Sequence, residues 1–300
     1  MDLKQIEYFI RVAELGSFTR ASIDLNVAQP ALSRQVRLLE VELGQSLLIR
    51  NGRGVIATDA GKSLLEHGRG VMHQIERLRE DLTRVRAGLL GRVAVGLPPS
   101  LTRILTVPLT KAFRSALPAA TISISEGLSS VMQDALMNGN LDVALLYNAT
   151  PSPEIDQSPL LEQTLHLVQP RHAELDTSPV TLRDIAQQAL IIPSRPNAFR
   201  MQVETQLASA GLHPHIAIEV DTVSGLLDLV AEGMGCAILP SSTVQVSGHP
   251  DDFTIRPIIQ PQLLAKLSMA VSSRRPTSQV QRHLMQLIET KVRDLIGPGP

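Results

Sequence analysis

Apolar residues at the start of the chain recur at the spacing of an α-helix. The residues between Leu3 and Leu15 predict a first helix, whose apolar face consists of Leu3, Ile6, Phe9, Ile10, Val12 and Ala13. Gly16 is placed to end this helix, since glycine adopts the left-handed conformation common at helix C-termini. Ser17 can then cap a second helix that continues to about Leu25.

A third helix follows after a short turn. Asn26 tolerates the backbone conformation that such a turn needs, so we place the turn at 26–28. The helix is predicted to begin near Gln29, because Pro30 fits the first turn, where its missing N–H costs nothing. Its buried stripe is formed by Leu32, Val36 and Leu39.

Two short helices joined by a tight turn indicate a helix-turn-helix, which places its second helix in the major groove of DNA. Arginine and glutamine read guanine and adenine edges, while serine and helix N-termini hold phosphate. The predicted DNA-binding positions in this motif are Ser17, Thr19, Gln29, Pro30, Ala31, Ser33, Arg34 and Arg37.

A β-hairpin is predicted next, because Asn51-Gly52 stands between the apolar runs 47–50 and 55–58. Arg50 and Arg53 lie near its tip, which is typical of a wing that contacts phosphate or the minor groove. The alternative is that both arginines are solvated surface charges. Their position beside a helix-turn-helix favours the wing, so we add Arg50 and Arg53 to the DNA-binding set.

One helix is predicted from the end of the wing to about Leu89. Its apolar residues are spaced 4, 3, 4, 3 and 4 apart, which is the a/d seam of a coiled coil, and charged residues flank them. The seam consists of Val71, Ile75, Leu78, Leu82, Val85 and Leu89. Packing against the chain's own core is the alternative, but strict heptad spacing favours a partner helix and therefore a dimer.

The remaining two thirds of the chain alternate strand and helix patterns. This alternation predicts an α/β fold with mostly parallel sheets. The predicted strands are 93–97, 121–125, 143–147, 165–168, 190–192, 216–220, 237–239 and 267–271, and the predicted helices lie near 101–116, 129–138, 199–210, 223–232 and 278–295.

Short hydroxyl residues follow several of these strands. In parallel sheets, ligands bind beyond the carboxyl ends of the strands, and helix N-termini favour anions. Each serine or threonine could instead merely cap its own helix. Because five strand ends converge, with Arg195 and Arg200 nearby, we predict a shared pocket for a small carboxylate.

Composition and charge narrow the class of protein. Residues 1–90 carry 13 Lys and Arg against 11 Asp and Glu, and the whole chain has a net charge of −1, so charge adds little to the pattern. Aromatic residues make up only 2% of the chain, which disfavours stacking on single-stranded nucleic acid. The single cysteine, Cys236, excludes an intramolecular disulfide. With neither a signal-peptide pattern nor an apolar run of roughly 20 residues, we expect a cytoplasmic protein.

Motifs for catalysis and metal binding are absent from the sequence. It has no Gly-x-Ser-x-Gly, His-Glu-x-x-His or Walker loop. His213 and His215 flank a proline without further ligands, and Cys236 lies in an apolar strand, so we interpret them as loop and core residues. The prediction is a protein that is not an enzyme and has no catalytic residues, metal or cofactor.

The run from Leu25 to Leu65 resembles the DNA-binding region of the bacterial LysR-type transcriptional regulators. The matching residues are Gln29-Pro30-Ala31-Leu32-Ser33, which open the recognition helix, Leu39-Glu40, which close it, and Arg50 with Thr58-Asp59-Ala60-Gly61, which end the wing. Ala28 departs from the family's usual capping serine, and Leu48 from a common phenylalanine. Ala28 and later segments are similar to the nitrogen-assimilation-control, or Nac-like, subgroup.

This resemblance implies a fold in three parts. An N-terminal winged helix-turn-helix, mainly α, would span residues 1–58, and a long coiled-coil linker and dimerisation helix 59–90. A two-lobed α/β effector domain, like type 2 periplasmic binding proteins, would span 91–300. Its lobe I would comprise about 91–161 and 267–300, and its lobe II about 162–266, with crossover strands near 160–168 and 262–270.

The resemblance also implies partners and a mechanism. Partners would be a double-stranded DNA operator, RNA polymerase, a small effector and further copies of the chain, as a homodimer or homotetramer. Effector binding in the cleft would shift the arrangement of lobes or subunits. The expected effector-binding residues are Ser100, Leu101, Thr102, Ser129, Tyr147, Ser194, Arg195, Arg200 and Thr222.

Two alternatives stay open. An effector-independent regulator would be controlled by its own abundance, and it would bind its operator whatever small molecules are present. A solute-binding or enzymatic protein with a vestigial DNA-binding domain would show transport or turnover and no operator, but the missing motifs count against it.

Overall fold

The computed structural model describes residues 1–51, 54–83, 91–171 and 176–297. The chain divides into a first compact unit, Met1–Arg86 with Asn138–Asn140, and a second unit, Ala87–Met137 with Leu141–Pro300. Within the described ranges, no helix has both the length and the apolar character needed to cross a membrane.

Three helices, a hairpin and a long helix make up the first unit. In chain order they are α1 Leu3–Leu15, α2 Phe18–Asp24, α3 Gln29–Leu43, β1 Leu48–Asn51, β2 Gly54–Ala57 and α4 Asp59–Thr83. The left-handed residue Gly16 (φ 61°) ends α1, Ser17 caps α2, and Asn26 (φ 52°) forms the turn before α3, as the sequence predicts. The prediction that Leu39-Glu40 closes α3 is wrong, because the helix continues to Leu43 and ends at Gly44.

Glu40 instead ties the hairpin to α3. Its Oε1 accepts hydrogen bonds from the backbone N–H groups of Leu47, at 2.8 Å, and Leu48, at 3.2 Å. In the first turn of α4, a Cβ at Gly61 would lie 2.1 Å from the carbonyl oxygen of Leu47, so only glycine lets α4 pass this close to the residue that precedes β1. The hairpin is therefore held against the helices on both sides.

The second unit contains the remaining strands and helices. In chain order they are β3 Gly91–Leu97, α5 Pro99–Ala116, β4 Ala120–Glu126, α6 Ser129–Asn138, β5 Val143–Tyr147, β6 Ile155–Pro170, α7 Leu182–Ala186, β7 Ala189–Ile192, α8 Ala198–Ser209, β8 His215–Glu219, α9 Val223–Ala231, β9 Ala237–Pro240, α10 Ser241–Gln245, a 3-10 turn Pro250–Asp252, β10 Phe253–Pro257, β11 Leu264–Ser272 and α11 Gln279–Ile296.

The prediction of mostly parallel sheets is wrong for this unit. Strand β3 pairs in parallel with β4 and β5, and β7 pairs in parallel with β8. The long strands β6 and β11, however, run antiparallel to each other and to β5, β9 and β10. The reason is that β6 continues from one half of the unit, where it pairs with β11, into the other half, where it pairs with β9 and β10, and antiparallel neighbours need no crossover helix.

These two long strands separate the unit into lobes. We call lobe I the elements β3, α5, β4, α6, β5 and α11, and lobe II the elements from α7 to β10. In lobe I, β6 pairs with β11 as far as Thr164, opposite Leu264, and in lobe II it pairs with β9 from Leu165, opposite Pro240. The partner of β6 thus changes between Thr164 and Leu165, where the chain passes from one lobe to the other.

Candidate DNA-binding helix and effector cavities

Helix α3 separates an apolar face from a polar one. Leu32, Val36 and Leu39 are at most 1% exposed and pack into the core of the first unit. On the other faces Pro30, Ala31, Arg34 and Arg37 are exposed, and Gln29 and Ser33 are half-buried. The predicted base-reading side chains therefore lie on the solvent side of a helix whose opposite side is fixed by packing.

The two arginines of α3 differ from other cations of the same unit. Arg11 pairs with Asp24 at 2.5 Å, and Arg69 pairs with Glu14 at 2.8 Å. Among residues 1–51 and 54–83, neither Arg34 nor Arg37 makes an ion pair or a side-chain hydrogen bond. Two guanidinium groups on one exposed helix face are thus available to an external anion such as nucleic acid.

The N-terminus of α3 lacks a side-chain cap. Ala28 occupies the N-cap position with no side-chain hydrogen bond, and Pro30 follows in the first turn. In α2, by contrast, the Ser17 hydroxyl accepts the N–H of Arg20 at 3.3 Å. Ser17 therefore has a structural role besides any phosphate contact, while Thr19 on the same helix is exposed. Uncapped N–H groups at a helix N-terminus favour an anion.

The wing arginines can be placed only in part. Arg50 lies in β1, which pairs with β2 from Leu48 opposite Ala57 to Asn51 opposite Gly54. Its side chain and the whole of Arg53 lie outside the described residues. Their role on DNA stays a prediction.

Four of the six predicted seam residues, Val71, Ile75, Leu78 and Leu82, lie on α4. Val71 and Leu78 are 43% and 54% exposed, and Ile75 is half-buried. Leu82 also belongs to α4, but its side chain is outside the described part of the chain. Val85 and Leu89 lie entirely outside it. The nearby Met72 packs against the first unit's core, so α4 directs part of its apolar surface inward and part toward solvent.

A small central cavity lies between the two lobes. Its lobe I wall includes Ser100, Ser129 and Tyr147, and its lobe II wall includes Phe199 and Asp221. Its volume is about 40 Å³, room for roughly three water molecules. Tyr147 and Phe199 contact each other from opposite walls, with ring centroids 4.7 Å apart.

Tyr147 is the most constrained polar group of this cavity. Burial raises the pKa of its hydroxyl well above the ordinary value, although a hydrogen bond from Ser100 acts in the opposite direction. The hydroxyl donates to the Oε1 of Gln163, and the Tyr147 backbone N–H donates to Ser129 at 3.0 Å. The side chain stays protonated and is a neutral hydrogen-bonding group.

A larger, hydroxyl-lined cavity adjoins the central one. Its volume is about 360 Å³, and hydroxyl groups from both lobes line it, namely Ser100, Thr102, Thr222, Ser224, Thr243 and Ser247. The Oγ1 of Thr243, a residue 3% exposed, and the Oγ of Ser247 are buried without a hydrogen-bond partner among the described residues. Thr222 makes no capping hydrogen bond at the start of α9. The cavity therefore offers several unused hydrogen-bonding groups.

Charge in the hydroxyl-lined cavity comes from Arg103 and Glu126. Within the described ranges, neither side chain makes an ion pair. Arg103 lies on α5, one residue after Thr102, and it is exposed at the cavity wall. A carboxylate or another oxyanion in this cavity would meet an unpaired guanidinium, the N-terminus of α9 and a set of hydroxyls.

The two arginines that the sequence assigns to the effector are already paired. Arg200 is only 8% exposed and contacts Glu204 and Glu219, each at 2.9 Å, while Arg195 contacts Glu204 at 2.8 Å. Burial alone would raise the pKa of Glu204, but the hydrogen bonds from Arg200 and Arg195 outweigh it and lower the pKa. Neither arginine lines the central or the hydroxyl-lined cavity.

Of the other predicted effector residues, some line one of the two cavities and some line neither. Ser100, Ser129 and Tyr147 meet at the central cavity, and Thr102 and Thr222 at the hydroxyl-lined one. Leu101 is fully buried in the core. The backbone N–H of Ser194 donates to Asp221 at 2.8 Å, and Ser194 lines neither cavity.

Sequence reasoning missed Arg103, Ser224, Thr243 and Ser247 among the residues of the hydroxyl-lined cavity. Arg103 follows the predicted contact Thr102 directly, so its position was a usable signal. Thr243 and Ser247 belong to α10 and the segment after it, and a five-residue helix is too short to give a periodic pattern.

Comparisons with known proteins agree with this arrangement. Residues 3–62 match the sequence model of the bacterial regulatory helix-turn-helix protein, lysR family, and residues 86–293 match the LysR substrate binding domain. The chain is 34% identical over 298 residues to the nitrogen assimilation regulatory protein nac of Escherichia coli (strain K12), covering 97% of both chains. It is also 34% identical to the protein of that name from Klebsiella aerogenes, covering 91% of this chain and 90% of the relative.

Solved structures share the fold. The crystal structure of CbnR, a LysR family transcriptional regulator, superposes with a TM-score of 0.74 at 24% sequence identity, covering 97% of this chain and 99% of that one. At this identity the likeness concerns the fold: a helix-turn-helix followed by a two-lobed domain.

Proposed function

The chain belongs to the LysR family of DNA-binding transcriptional regulators, and from that premise we propose that α3 reads the operator and that a small anion between the lobes controls this binding. The observation that carries the first part is the exposed pair Arg34 and Arg37, whose guanidinium groups have no ionic partner within the described ranges. Gln29, Pro30, Ala31 and Ser33 would complete the contact surface.

The hydroxyl-lined cavity supports the second part. An anion there would pair with Arg103 and accept hydrogen bonds from Thr222 and Thr243. Unpartnered buried hydroxyls are costly, and a ligand with acceptor oxygens would satisfy them. The proposed effector is therefore still a small oxyanion such as a carboxylate, but Arg103 takes the place of Arg195 and Arg200.

A dimer is part of the same proposal. Val71 and Leu78 expose apolar surface along α4, and a partner helix would bury it. The division into 1–58, 59–90 and 91–300, a tetramer built from two dimers, and a contact with RNA polymerase complete the scheme that the family resemblance implies.

The test is a DNase I footprint at one fixed salt concentration on the DNA upstream of the protein's own gene, repeated with acetate, benzoate, succinate, glutamate, sulfate and phosphate. Arg103→Ala and Arg195→Ala are compared with the wild type, because both remove one exposed guanidinium. We expect a protected dyad whose extent changes with one of the anions. This response should be lost in Arg103→Ala and kept in Arg195→Ala.

Each part of the proposal can fail separately. A response that survives Arg103→Ala unchanged would place the anion elsewhere. Loss of protection in Arg34→Ala without loss of folding supports the role of α3. An unchanged footprint in that variant contradicts it.

A second candidate, an effector-independent regulator, is favoured by the central cavity. Tyr147 and Phe199 contact each other there from opposite walls, and the volume of the cavity is only about 40 Å³. For this candidate the footprint is the same with every anion of the panel, and Arg103→Ala leaves it unaltered.

A further inference from the structure

The amide of Gln163 lies at the point where β6 passes from one lobe to the other. Gln163 is 7% exposed. The partner of β6 changes from β11 to β9 immediately after it, between Thr164 and Leu165. A rotation of the lobes about the crossover strands would therefore act on the surroundings of this side chain.

Both ends of the amide are hydrogen-bonded, and each end contacts a different lobe. Its Oε1 accepts from the hydroxyl of Tyr147 at the end of β5, and its Nε2 donates to the hydroxyl of Ser242 in α10 at 3.0 Å. Two consecutive side-chain hydrogen bonds thus connect Tyr147 of lobe I, through the crossover strand, to α10 in lobe II.

The buried position makes this connection sensitive to geometry. A buried amide that loses one partner is left with an unsatisfied donor or acceptor, because water does not replace the bond there. By contrast, the side-chain bond from Asn148, just after β5, to Gln202 in lobe II, at 3.0 Å, is exposed and can exchange with water. The two bonds of Gln163 therefore favour lobe arrangements in which both Tyr147 and Ser242 stay within hydrogen-bonding distance of its amide.

We propose that Gln163 is a positioning residue, which couples the hydrogen bonding of Tyr147 in the central cavity to the angle between the lobes. Its regulatory meaning rests on the proposed function, because the lobe angle matters to DNA only if the cleft controls binding. A ligand group that takes over the Tyr147 hydroxyl would release Oε1 of Gln163 and weaken the link to lobe II.

The test measures the distance between the lobes in the ligand-free protein. Spin labels are placed at exposed helix positions by Val131→Cys on α6 and Asp228→Cys on α9, with Cys236→Ala to remove the native thiol. Double electron–electron resonance is recorded on labelled full-length protein diluted with unlabelled protein, so that distances between copies do not contribute.

Gln163→Leu removes both hydrogen bonds while keeping a side chain of similar size that can stay buried. We expect it to shift the mean distance by about 2 Å or more, the size that separates lobe rearrangement from side-chain motion. Ser242→Ala should shift it in the same direction, and the double variant should add little to Gln163→Leu, since both act on one bond.

Gln157→Leu is the matched control. It makes the same change on the same strand, but within the described ranges the side chain of Gln157 bonds only to the carbonyl of Thr150, at 3.2 Å. This control should keep the wild-type distance. A folded Gln163→Leu protein, judged by circular dichroism, with the wild-type distance would overturn the proposal. If Gln163→Leu does not fold, Ser242→Ala decides by the same criterion.

The measurement is independent of any effector. If no anion alters the footprint, the proposed effector site fails while the coupling by Gln163 can still be observed. If the footprint responds to an anion but Gln163→Leu leaves the lobe distance unchanged, the proposed coupling fails and the effector site stands.

Discussion

Replacing Arg34 with alanine is expected to reduce the sequence preference of operator binding without disturbing the fold. The side chain is exposed, and within residues 1–51 and 54–83 it makes no ion pair or hydrogen bond, so truncation deletes no internal contact. Surface substitutions of this kind change the free energy of unfolding by about 0.5 kcal/mol or less. Loss of one bidentate guanine contact costs roughly 1–3 kcal/mol of binding free energy, which is about 5- to 150-fold in Kd.

The comparison with Arg37→Ala separates base reading from phosphate contact. A phosphate contact weakens binding to all sequences alike and lowers the slope of log K against log salt by about 1, whereas a base contact lowers the preference for one sequence. Arg11→Ala is the control. It also removes one positive charge from this unit, but the Arg11 guanidinium is paired with Asp24 and is therefore not available to DNA.

The assay is fluorescence anisotropy with the footprinted operator and a scrambled duplex, at several salt concentrations. For Arg34→Ala we expect the ratio of the two affinities to fall, and for Arg11→Ala to stay constant. An unchanged ratio in Arg34→Ala, with an unchanged melting temperature, would refute the assignment of Arg34 as a base-reading residue.

Three further predictions concern assembly and stability. Leu78→Asp should weaken the dimer and lower the sedimentation coefficient, because burying the exposed half of each Leu78 in the dimer contributes about 1 kcal/mol per copy. Met234→Asp, at a comparably exposed residue outside α4, is the control; equal sedimentation coefficients for the two variants would contradict the α4 seam. Glu40→Ala should lower the free energy of unfolding of the first unit by about 1.5–3 kcal/mol, and Glu40→Gln by less; equal melting curves for all three proteins would contradict its anchoring role. Because the pKa of Glu204 is lowered by Arg200, its stabilising effect is present above the ordinary pKa of 4.5 and is lost as the pH falls below it. Thermal melts of Glu204→Gln should therefore depend less on pH between pH 5 and 3 than those of the wild type, and parallel curves would refute this.

The sequence predicts the first unit closely because its signals are local. Helix periodicity, Gly16 at a C-terminus and Asn26 in a turn each depend on a few adjacent residues. The role of Glu40 was not visible, because its hydrogen bonds reach residues seven and eight positions later, after α3 has ended.

The candidate effector site is predicted less well, because charge neutralisation is a tertiary property. Arg195 and Arg200 stand near a strand end, as an anion site requires, but Glu204 on the same helix face and Glu219 on β8 neutralise them. Strand β6 shows the same limit. Its first ten residues include Pro159 and the charged side chains Asp156 and Glu162, so only its last third has a strand pattern, and the antiparallel pairing was missed.

The two cavities and the hydrogen bonds of Gln163 meet at neighbouring residues. Tyr147, which donates to Gln163, lines the central cavity together with Ser100, and in α10 Ser242 accepts from Gln163 while the adjacent Thr243 lines the hydroxyl-lined cavity. An anion that hydrogen-bonds to Thr243 would therefore act one residue away from the lobe II end of these hydrogen bonds. No long pathway is needed for such coupling, since a small displacement of α10 changes the geometry at Ser242 directly.

It follows that Thr243→Val, which keeps the shape of the side chain and removes its hydroxyl, should weaken an anion's effect on the lobe distance while leaving the ligand-free distance unchanged. A ligand-free distance that shifts in Thr243→Val as much as in Ser242→Ala would show that α10 responds to any change in packing, and the specific coupling through Ser242 would be wrong.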